Sequence, residues 1–250
     1  MSKVSIITPV YNSADYIQET AESVLNQTFK NWEWILIDDC STDKSLSIIQ
    51  KMASKDSRIK IIVNDKNIKT ALSRNRGIEI ATGKYIAFID SDDLWHPQKL
   101  EKQVYFMESN NHYFSYHSFS MFYDTERKIR KILTVPEKIS FSDLVKTSSI
   151  GSLAAMYNCK VIGKIMMPDG YKAKEDYLCW LEILKRCDYA FGMTDILGYY
   201  RIHPHSYSYN KKEAAFNQWR VYREYLKLNI FSSSLNFFSY ALNGFIKHRF

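Results

Sequence analysis

The sequence has few of the residues that would indicate a cross-linked or zinc-binding domain. Its four cysteines, at positions 40, 159, 179 and 187, form no Cys-x-x-Cys pair, which argues against a zinc knuckle and against a disulfide framework. The start of the chain, MSKVSII, also lacks the long apolar segment of a secretory signal. We therefore expect free thiols and a cytoplasmic protein.

A long, purely apolar run is absent as well. Residues 229–246 carry no charge, but their serines and the asparagines at 236 and 243 make a bilayer-spanning helix unfavourable. Four apolar residues here share one helical face, and a basic segment, 247–249, follows them: Leu235, Phe238, Leu242 and Phe245. Two interpretations stay open: a peripheral helix on anionic lipid, at the inner face of the cytoplasmic membrane, or a helix packed on its own domain or on a second subunit.

Positive charge is concentrated in two places. The formal net charge is +7, and residues 211–250 contain seven Lys or Arg against two Glu. A second basic segment, RKIRK, covers 127–131. Such surfaces can contact nucleic acid, anionic lipid or only water, so charge alone selects no function.

Three carboxylates occur together in the segment 90–93, DSDD, directly after the apolar run 85–89. That run predicts a buried strand, and open α/β folds bind ligands where such strands end. Clustered carboxylates stay ionised when water or a cation compensates them, and Mg²⁺ or Mn²⁺ suits one or two carboxylates together with phosphate oxygens. The alternative is a solvated turn that caps the next helix.

Strand and helix patterns alternate along the first ninety residues. Apolar runs predict strands near 4–8, 34–37 and 59–63, and helical spacing follows each of them, as in 43–53 and 71–81. This order predicts an α/β fold, with a doubly wound and mostly parallel sheet that resembles the nucleotide-binding half of a Rossmann fold.

Five ordered segments resemble the family 2 glycosyltransferases of the GT-A fold, of the type that builds bacterial surface polysaccharides. The segments are TPVYN (8–12), DDCSTD (38–43), ALSRNRG (71–77), ATGKY (81–85) and DSDD (90–93). The resemblance implies a glycosyltransferase domain at 1–210, with a nucleotide-sugar half at 1–100 and an acceptor and catalytic-base half at 101–210. A basic, aromatic, helical extension would occupy 211–250.

The resemblance also implies a donor site in the first half. Its expected contacts with the nucleotide sugar are Thr8, Pro9, Tyr11, Asp39, Arg74 and Asp90, with Asp39 on uracil and Asp90 on ribose. Asp92 would hold the metal, whereas Asp93 would support it or cap a helix. From the residues alone, Tyr11 could equally pack on its own sheet, and Asp39 could cap a helix.

Two segments of the second half complete the implied site. KEDYLCW (174–180) resembles the Glu-Asp motif at the start of a helix in this family, which makes Asp176 the expected general base. The alternative is that Glu175 and Asp176 only stabilise the helix, because acidic residues in its first turn interact favourably with the helix dipole. YRIHPHSYS (200–208) resembles a segment that closes over the diphosphate. It would supply Arg201 and Ser206 to phosphate and His203 to the metal.

The function implied is an inverting, metal-dependent transfer. Mn²⁺ or Mg²⁺ would assist the departure of the nucleoside diphosphate from a nucleotide sugar. A UDP-sugar is the preferred donor, with GDP and dTDP as the open alternatives, and the acceptor would be a hydroxyl of a glycan or of a polyprenyl-linked glycan. The expected setting is synthesis of O-antigen, capsule or lipooligosaccharide, with peripheral membrane contact through the tail and no nucleic-acid partner.

Two alternatives come from other classes of protein. A metal-dependent phosphatase or phosphotransferase would use Asp90 as nucleophile and Asp92 as general acid. A non-catalytic basic protein would bind nucleic acid through 127–131. Neither explains the ordered motifs.

Overall fold

The computed structural model describes residues 3–123, 128–171, 173–202 and 211–249. Within them the chain forms one mixed sheet with helices on both faces. No helix of this described part is long and apolar enough to cross a membrane.

The first half alternates strand and helix as the sequence predicts. Its strands are β1 (Val4–Val10), β2 (Trp32–Asp38), β3 (Ile59–Val63) and β4 (Tyr85–Phe88). Its helices are α1 (Ile17–Leu25), α2 (Ser45–Ala53) and α3 (Lys69–Ile80). The four strands pair in parallel in the order β3-β2-β1-β4, so their carboxyl ends meet at one edge of the sheet.

The second half adds strands of 2 to 13 residues and helices of 4 to 20 residues. Its strands are β5 (Leu94–Trp95), β6 (Phe114–Tyr123), β7 (Ile129–Leu133), β8 (Lys138–Ile139), β9 (Met156–Asn158) and β10 (Ala190–Ile202). Its helices are α4 (Lys99–Ser109), α5 (Phe141–Val145), α6 (Cys159–Ile162), α7 (Glu175–Leu184), α8 (Lys211–Arg220) and α9 (Ile230–Arg249). The described part of the basic segment, 128–131, runs into the edge strand β7.

The sheet continues past β4 through an antiparallel strand. The short β9 pairs antiparallel with both β4 and β6, while β6 and β10 run parallel to each other. The predicted helix cap after residue 93 is wrong, because β5 follows directly and pairs with β10 at Gly198 and Tyr199. Helix α4 begins only at Lys99.

The apolar strands are buried on both faces, as expected for parallel strands between helix layers. Ile6 of β1 belongs to a core cluster with α1 and α2 residues, whereas the next residue, Ile7, packs with α3 in the other cluster. Helix α3 lies especially close, since Gly77 faces the side chains of Ile7 and Ile37.

The C-terminal helices pack on the main domain. Val221 and Tyr222 are fully buried, and the Tyr222 hydroxyl donates a 2.7 Å hydrogen bond to the carbonyl of Val145, the last residue of α5. Tyr240 and Asn243 contact the main domain: the Tyr240 hydroxyl accepts a hydrogen bond from Lys174 Nζ, and Asn243 Nδ2 donates to the Lys146 carbonyl. The interpretation as a helix packed on its own domain is therefore confirmed for this inner face. The outer face of α9 is exposed at Phe231, Leu235, Phe238 and Leu242.

Candidate active site

A cavity of about 630 Å³ lies where the parallel strands end. Its first wall comes from the loops after β1, β2 and β4 and from the start of α3. The lining residues of this wall are Pro9, Tyr11, Asp39, Thr70, Arg74 and residues 90–93. Among the described residues, the sequence-predicted donor contacts thus converge here, except for Thr8 and Arg201, which are described below.

Tyr11 and Asp39 differ in how firmly they are held. The Tyr11 side chain is half exposed, so its ring is available to a ligand. Asp39 is buried, and its Oδ1 accepts hydrogen bonds from Asn64 Nδ2 (2.7 Å) and from the Ile68 N–H (2.8 Å). Its Oδ2 accepts the N–H of Lys69 at 2.9 Å. Asp39 therefore fixes the loop that leads into α3 while it faces the cavity.

Thr8 does not line the cavity. Its side chain is fully buried, and its hydroxyl accepts a 2.9 Å hydrogen bond from Trp34 Nε1 on the neighbouring strand. The side chain therefore supports the β1–β2 pair, and the predicted donor contact of its hydroxyl is corrected to this structural role.

The acidic segment forms a tight turn after β4, with the Asp93 N–H bonded to the Asp90 carbonyl. Ser91 anchors the turn: its hydroxyl lies 2.7 Å from that of Ser13, and its carbonyl accepts from Thr20 Oγ1. Asp90 and Asp92 are partly exposed to the cavity, whereas Asp93 is buried. Burial, and then the charges of Asp92 and Asp90, raise the pKa of Asp93 well above its usual range.

Arg74 connects this turn to the acidic start of α7. Its guanidinium is buried, and Nη2 donates to Asp90 Oδ1. Burial disfavours its charge, but the carboxylates of Asp90, Glu175 and Asp176 outweigh burial and raise the pKa of Arg74. Arg74 therefore stays cationic, and it stabilises the ionised form of the groups around it.

Arg201 lies behind the turn and not in the cavity wall. Its side chain is 1% exposed; Nε donates to the Asp92 carbonyl at 2.7 Å, and Nη2 pairs with Glu19 of α1 at the same distance. Its N–H donates to Asp93 Oδ1. The predicted phosphate contact is therefore corrected: Arg201 holds the backbone of the acidic turn from its buried side.

The first turn of α7 brings Glu175 and Asp176 to the same cavity. Asp176 Oδ1 accepts the N–H of Tyr177 at 2.7 Å. Burial raises the pKa of Asp176, and the charge of Arg74 partly opposes this effect. Burial likewise raises the pKa of Glu175. A carboxylate of this kind is suited to accept a proton from a hydroxyl near neutral pH.

The second wall of the cavity is largely apolar and aromatic. It includes side chains from β6, β10, the 150–153 segment and the C-terminal helices: Phe119, Met121, Ile150, Leu153, Tyr177, Tyr200, Glu213, Asn217 and Tyr240. Lys174, at the N-cap of α7, also lies here. Sequence reasoning assigned no role to Lys174 or Tyr240, although Tyr240 falls on the side of α9 opposite its apolar stripe.

The donor set fits a hard divalent ion. Asp90 and Asp92 present carboxylate oxygens to the cavity, which suits Mg²⁺ or Mn²⁺. In the described ranges, no group of three or more His, Cys, Asp or Glu side chains is arranged to hold an ion alone. The site therefore fits an ion that also takes substrate oxygens. The predicted roles of His203 and Ser206 fall outside the described residues.

A mostly parallel sheet with an acidic turn and a second acidic pair in one cavity at the strand ends is the arrangement expected of a glycosyltransferase of the GT-A class. The chain belongs to glycosyltransferase family 2: residues 5–165 match the family model described as "Glycosyl transferase family 2". The family and fold predicted from the motifs are confirmed.

Full-length relatives are also glycosyltransferases. TuaG of Bacillus subtilis, assigned provisionally to teichuronic acid biosynthesis, is 39% identical over 96% of this chain and 95% of its own length. WfaP of Escherichia coli, named UDP-Glc:alpha-D-GlcNAc-diphosphoundecaprenol beta-1,3-glucosyltransferase, is 37% identical over 100% and 97%. WfgD of E. coli bears the same activity name and is 34% identical over 99% and 95%. The chain is a glycosyltransferase, so the phosphotransferase and non-catalytic alternatives are wrong.

Solved structures share the fold. TarS 1-349 of S. aureus superposes with a TM-score of 0.72 at 22% identity, covering 97% of this chain and 72% of that one. The mannosyltransferase PcManGT of Pyrobaculum calidifontis, solved with GDP-Man and Mn²⁺, gives 0.71 at 18% identity, covering 91% and 65%.

Proposed function

We propose that this chain transfers a hexose, glucose first among the candidates, from a UDP-sugar to a sugar hydroxyl on a lipid diphosphate during surface-polysaccharide synthesis. The names of WfaP and WfgD, which align over nearly their whole length, support this donor and acceptor class. The observation that carries the proposal is the convergence of the 90–93 turn and Asp176 on one cavity.

The first wall binds the donor. The exposed ring of Tyr11 stacks on the base, Asp39 accepts from it, and Asp90 binds the ribose. Asp92, with Asp90, would hold Mg²⁺ or Mn²⁺, whose charge would stabilise the departing diphosphate. Arg201 keeps the turn in position for this task from behind.

Asp176 acts on the acceptor. Its carboxylate takes the proton of the attacking hydroxyl as the new bond to the anomeric carbon forms. A direct displacement places the nucleophile opposite the leaving group and inverts the anomeric centre. The β linkage in the names of WfaP and WfgD supports inversion, because the glucose of UDP-glucose is α-linked.

Calorimetric titration with UDP, GDP, CMP and dTDP tests the donor assignment, each with Mn²⁺ and with EDTA, on the native chain and on Asp92→Ala. We expect UDP to bind with Mn²⁺ and to lose most of its affinity with EDTA or in the variant. Tight binding of another nucleotide would contradict this donor site. UDP affinity that is unchanged both by EDTA and by Asp92→Ala would also contradict it. The anomeric configuration of a product made from UDP-glucose tests inversion.

The exposed stripe of α9 supports a peripheral membrane contact for the same enzyme. Phe231, Leu235, Phe238 and Leu242 project from one side of the helix, and Tyr240 on the opposite side lines the cavity. Seven Lys or Arg in residues 211–250 favour an anionic lipid surface as the partner of this stripe. A lipid-linked acceptor would then meet the enzyme at the mouth of its site.

A further inference from the structure

Lys174 is a buried cation in a cavity whose other charged groups are mostly acidic. Among the described residues that line the cavity, the cationic ones are Arg74 and Lys174, and Arg74 is already paired with Asp90. Lys174 is 5% exposed. Within the described ranges no carboxylate lies within ion-pair distance of its Nζ, which is unusual because a buried charge is costly without a counter-charge.

Two tyrosines hold the ammonium group in place. Nζ donates a 3.3 Å hydrogen bond to the Tyr240 hydroxyl of α9. It also lies 5.0 Å from the centre of the Tyr240 ring and 5.4 Å from that of Tyr177. Such cation–π contacts orient a cation without neutralising it. The site thus presents a preoriented positive charge to a ligand in the cavity.

The position of Lys174 matches the chemistry of a phosphorylated acceptor. It precedes the proposed base, Asp176, by two residues at the start of α7. In a sugar linked to a lipid diphosphate, the phosphate is attached to the anomeric carbon and the reactive hydroxyl to another carbon of the same ring. We propose that Lys174, oriented by Tyr240, binds the acceptor phosphate next to the sugar while Asp176 receives the hydroxyl; this inference rests on the proposed function.

The diphosphate of the donor is the alternative anion that Lys174 could bind. The donor wall is built by residues near Pro9, Asp39 and Thr70, whereas Lys174 is held by α9 through Tyr240. That helix also carries the exposed apolar stripe on its opposite side. A lipid chain attached to a phosphate at Lys174 would leave the cavity at α9, the helix whose outer face is apolar, and this favours the acceptor over the donor.

Calorimetry in the presence of UDP and Mn²⁺ tests the inference without requiring transfer. The probes are an N-acetylglucosaminyl diphosphate with a short prenyl chain and the neutral N-acetylglucosaminide with an alkyl chain. We expect Lys174→Met to reduce the preference for the diphosphate probe by about 10- to 100-fold, the range for a hydrogen bond to a charged group. Lys174→Arg retains most of the preference, and Tyr240→Phe weakens it by about 2- to 10-fold.

Lys185→Met is the matched control, because Lys185 lies at the end of the same helix but is exposed and paired with Glu182. This variant should prefer the diphosphate probe as strongly as the native chain does. Equal losses for both probes in Lys174→Met, or a loss of UDP affinity, would overturn the inference in favour of a structural or donor role. A native chain that binds UDP but prefers neither probe also overturns it and leaves the donor assignment intact. A native chain that binds neither UDP nor the probes contradicts the proposed function as well.

Discussion

The positive charge of Arg74 acts on carboxylates at both the donor end and the acceptor end of the cavity. Arg74 donates to Asp90 at the donor end of the cavity, and its charge also acts on Glu175 and Asp176 at the other end. Because one buried cation faces all three carboxylates, a change of charge at one end of the cavity alters the electrostatic field at the other. The donor and acceptor ends are therefore electrostatically one site, although they come from distant parts of the sequence.

Asp176→Asn tests the proposed base with almost no change in size. We expect the transfer rate to fall by about 100- to 10,000-fold, since the amide cannot accept the hydroxyl proton. UDP affinity should stay close to the native value, because the donor wall is unchanged. Asp188→Asn, an exposed position just beyond the same helix, is the control and should keep native rates. A transfer rate for Asp176→Asn within a few-fold of the native rate would remove Asp176 from the mechanism.

The pH dependence of transfer should reflect the environment of Asp176. Burial raises the pKa of its carboxyl, Asp90 raises it further, and Arg74 and Lys174 lower it. The base works only when ionised, so activity is present above this raised pKa and is lost as the pH falls through it. We expect the acid limb of kcat/KM at a higher pH than for an exposed aspartate, and we expect it to disappear from the residual activity of Asp176→Asn. An acid limb that persists unchanged in the variant would assign it to another group.

At the scale of elements, the close contact between α3 and the sheet depends on Gly77. A Cβ there would lie 2.8 Å from Ile7 Cγ2 and 2.9 Å from Ile37 Cδ1. We expect Gly77→Ala to lower the free energy of unfolding by about 1–3 kcal/mol, because overpacking outweighs the better helix propensity of alanine.

Gly244→Ala supplies the matched comparison in α9. A Cβ at this position meets nothing within 4 Å, so helix propensity should dominate and stabilise the protein by up to about 1 kcal/mol. Urea denaturation of both variants measures the two effects. Equal signs for the two substitutions would contradict the packing described for α3.

The elements of the first half were predictable because their signals are local. The apolar runs of β1 to β4 and the carboxylates of 90–93 can be read within short windows of sequence. The β9 strand has only three residues, too few for a periodic pattern, and its partners in β4 lie far away in the sequence, as in the pair of Tyr85 with Asn158.

The corrected and the unassigned residues depend on long-range contacts. Arg201 was expected on phosphate, but its ion-pair partner Glu19 lies 182 residues away in the sequence. The role proposed for Lys174 depends on its contact with Tyr240 of α9, which lies 66 residues later in the sequence. Sequence motifs identify the polar residues that lie near the site. Tertiary packing determines which of them line the cavity and which support its walls from outside.

At the scale of the whole molecule, the exposed stripe of α9 predicts binding to anionic lipid. Replacing Leu235 and Phe238 together by Ser removes apolar area from the outer face and leaves Tyr240 and its inward contacts in place. We expect co-sedimentation with vesicles of mixed anionic and neutral phospholipid to fall by at least several-fold, since each buried apolar side chain contributes about 1.5–3 kcal/mol.

Tyr105→Ser serves as the control, because Tyr105 is 73% exposed on α4 and lies outside the stripe. It should sediment with vesicles as the native chain does. If the double variant also does so, the stripe does not bind lipid, and size-exclusion chromatography then tests a second copy of the chain as its partner.

Asp39 restricts how this enzyme could be re-engineered to accept another nucleotide. Its carboxylate receives the N–H groups of Ile68 and Lys69, and Lys69 has a backbone φ of 73°, a left-handed conformation that ordinary residues adopt at a cost. Changing Asp39 would release this bend as well as alter the proposed base contact. A substitution here would therefore lower stability and change nucleotide preference at the same time. Directed evolution toward a different donor should therefore sample Tyr11 and Thr70, whose side chains reach the same wall, and leave Asp39 fixed.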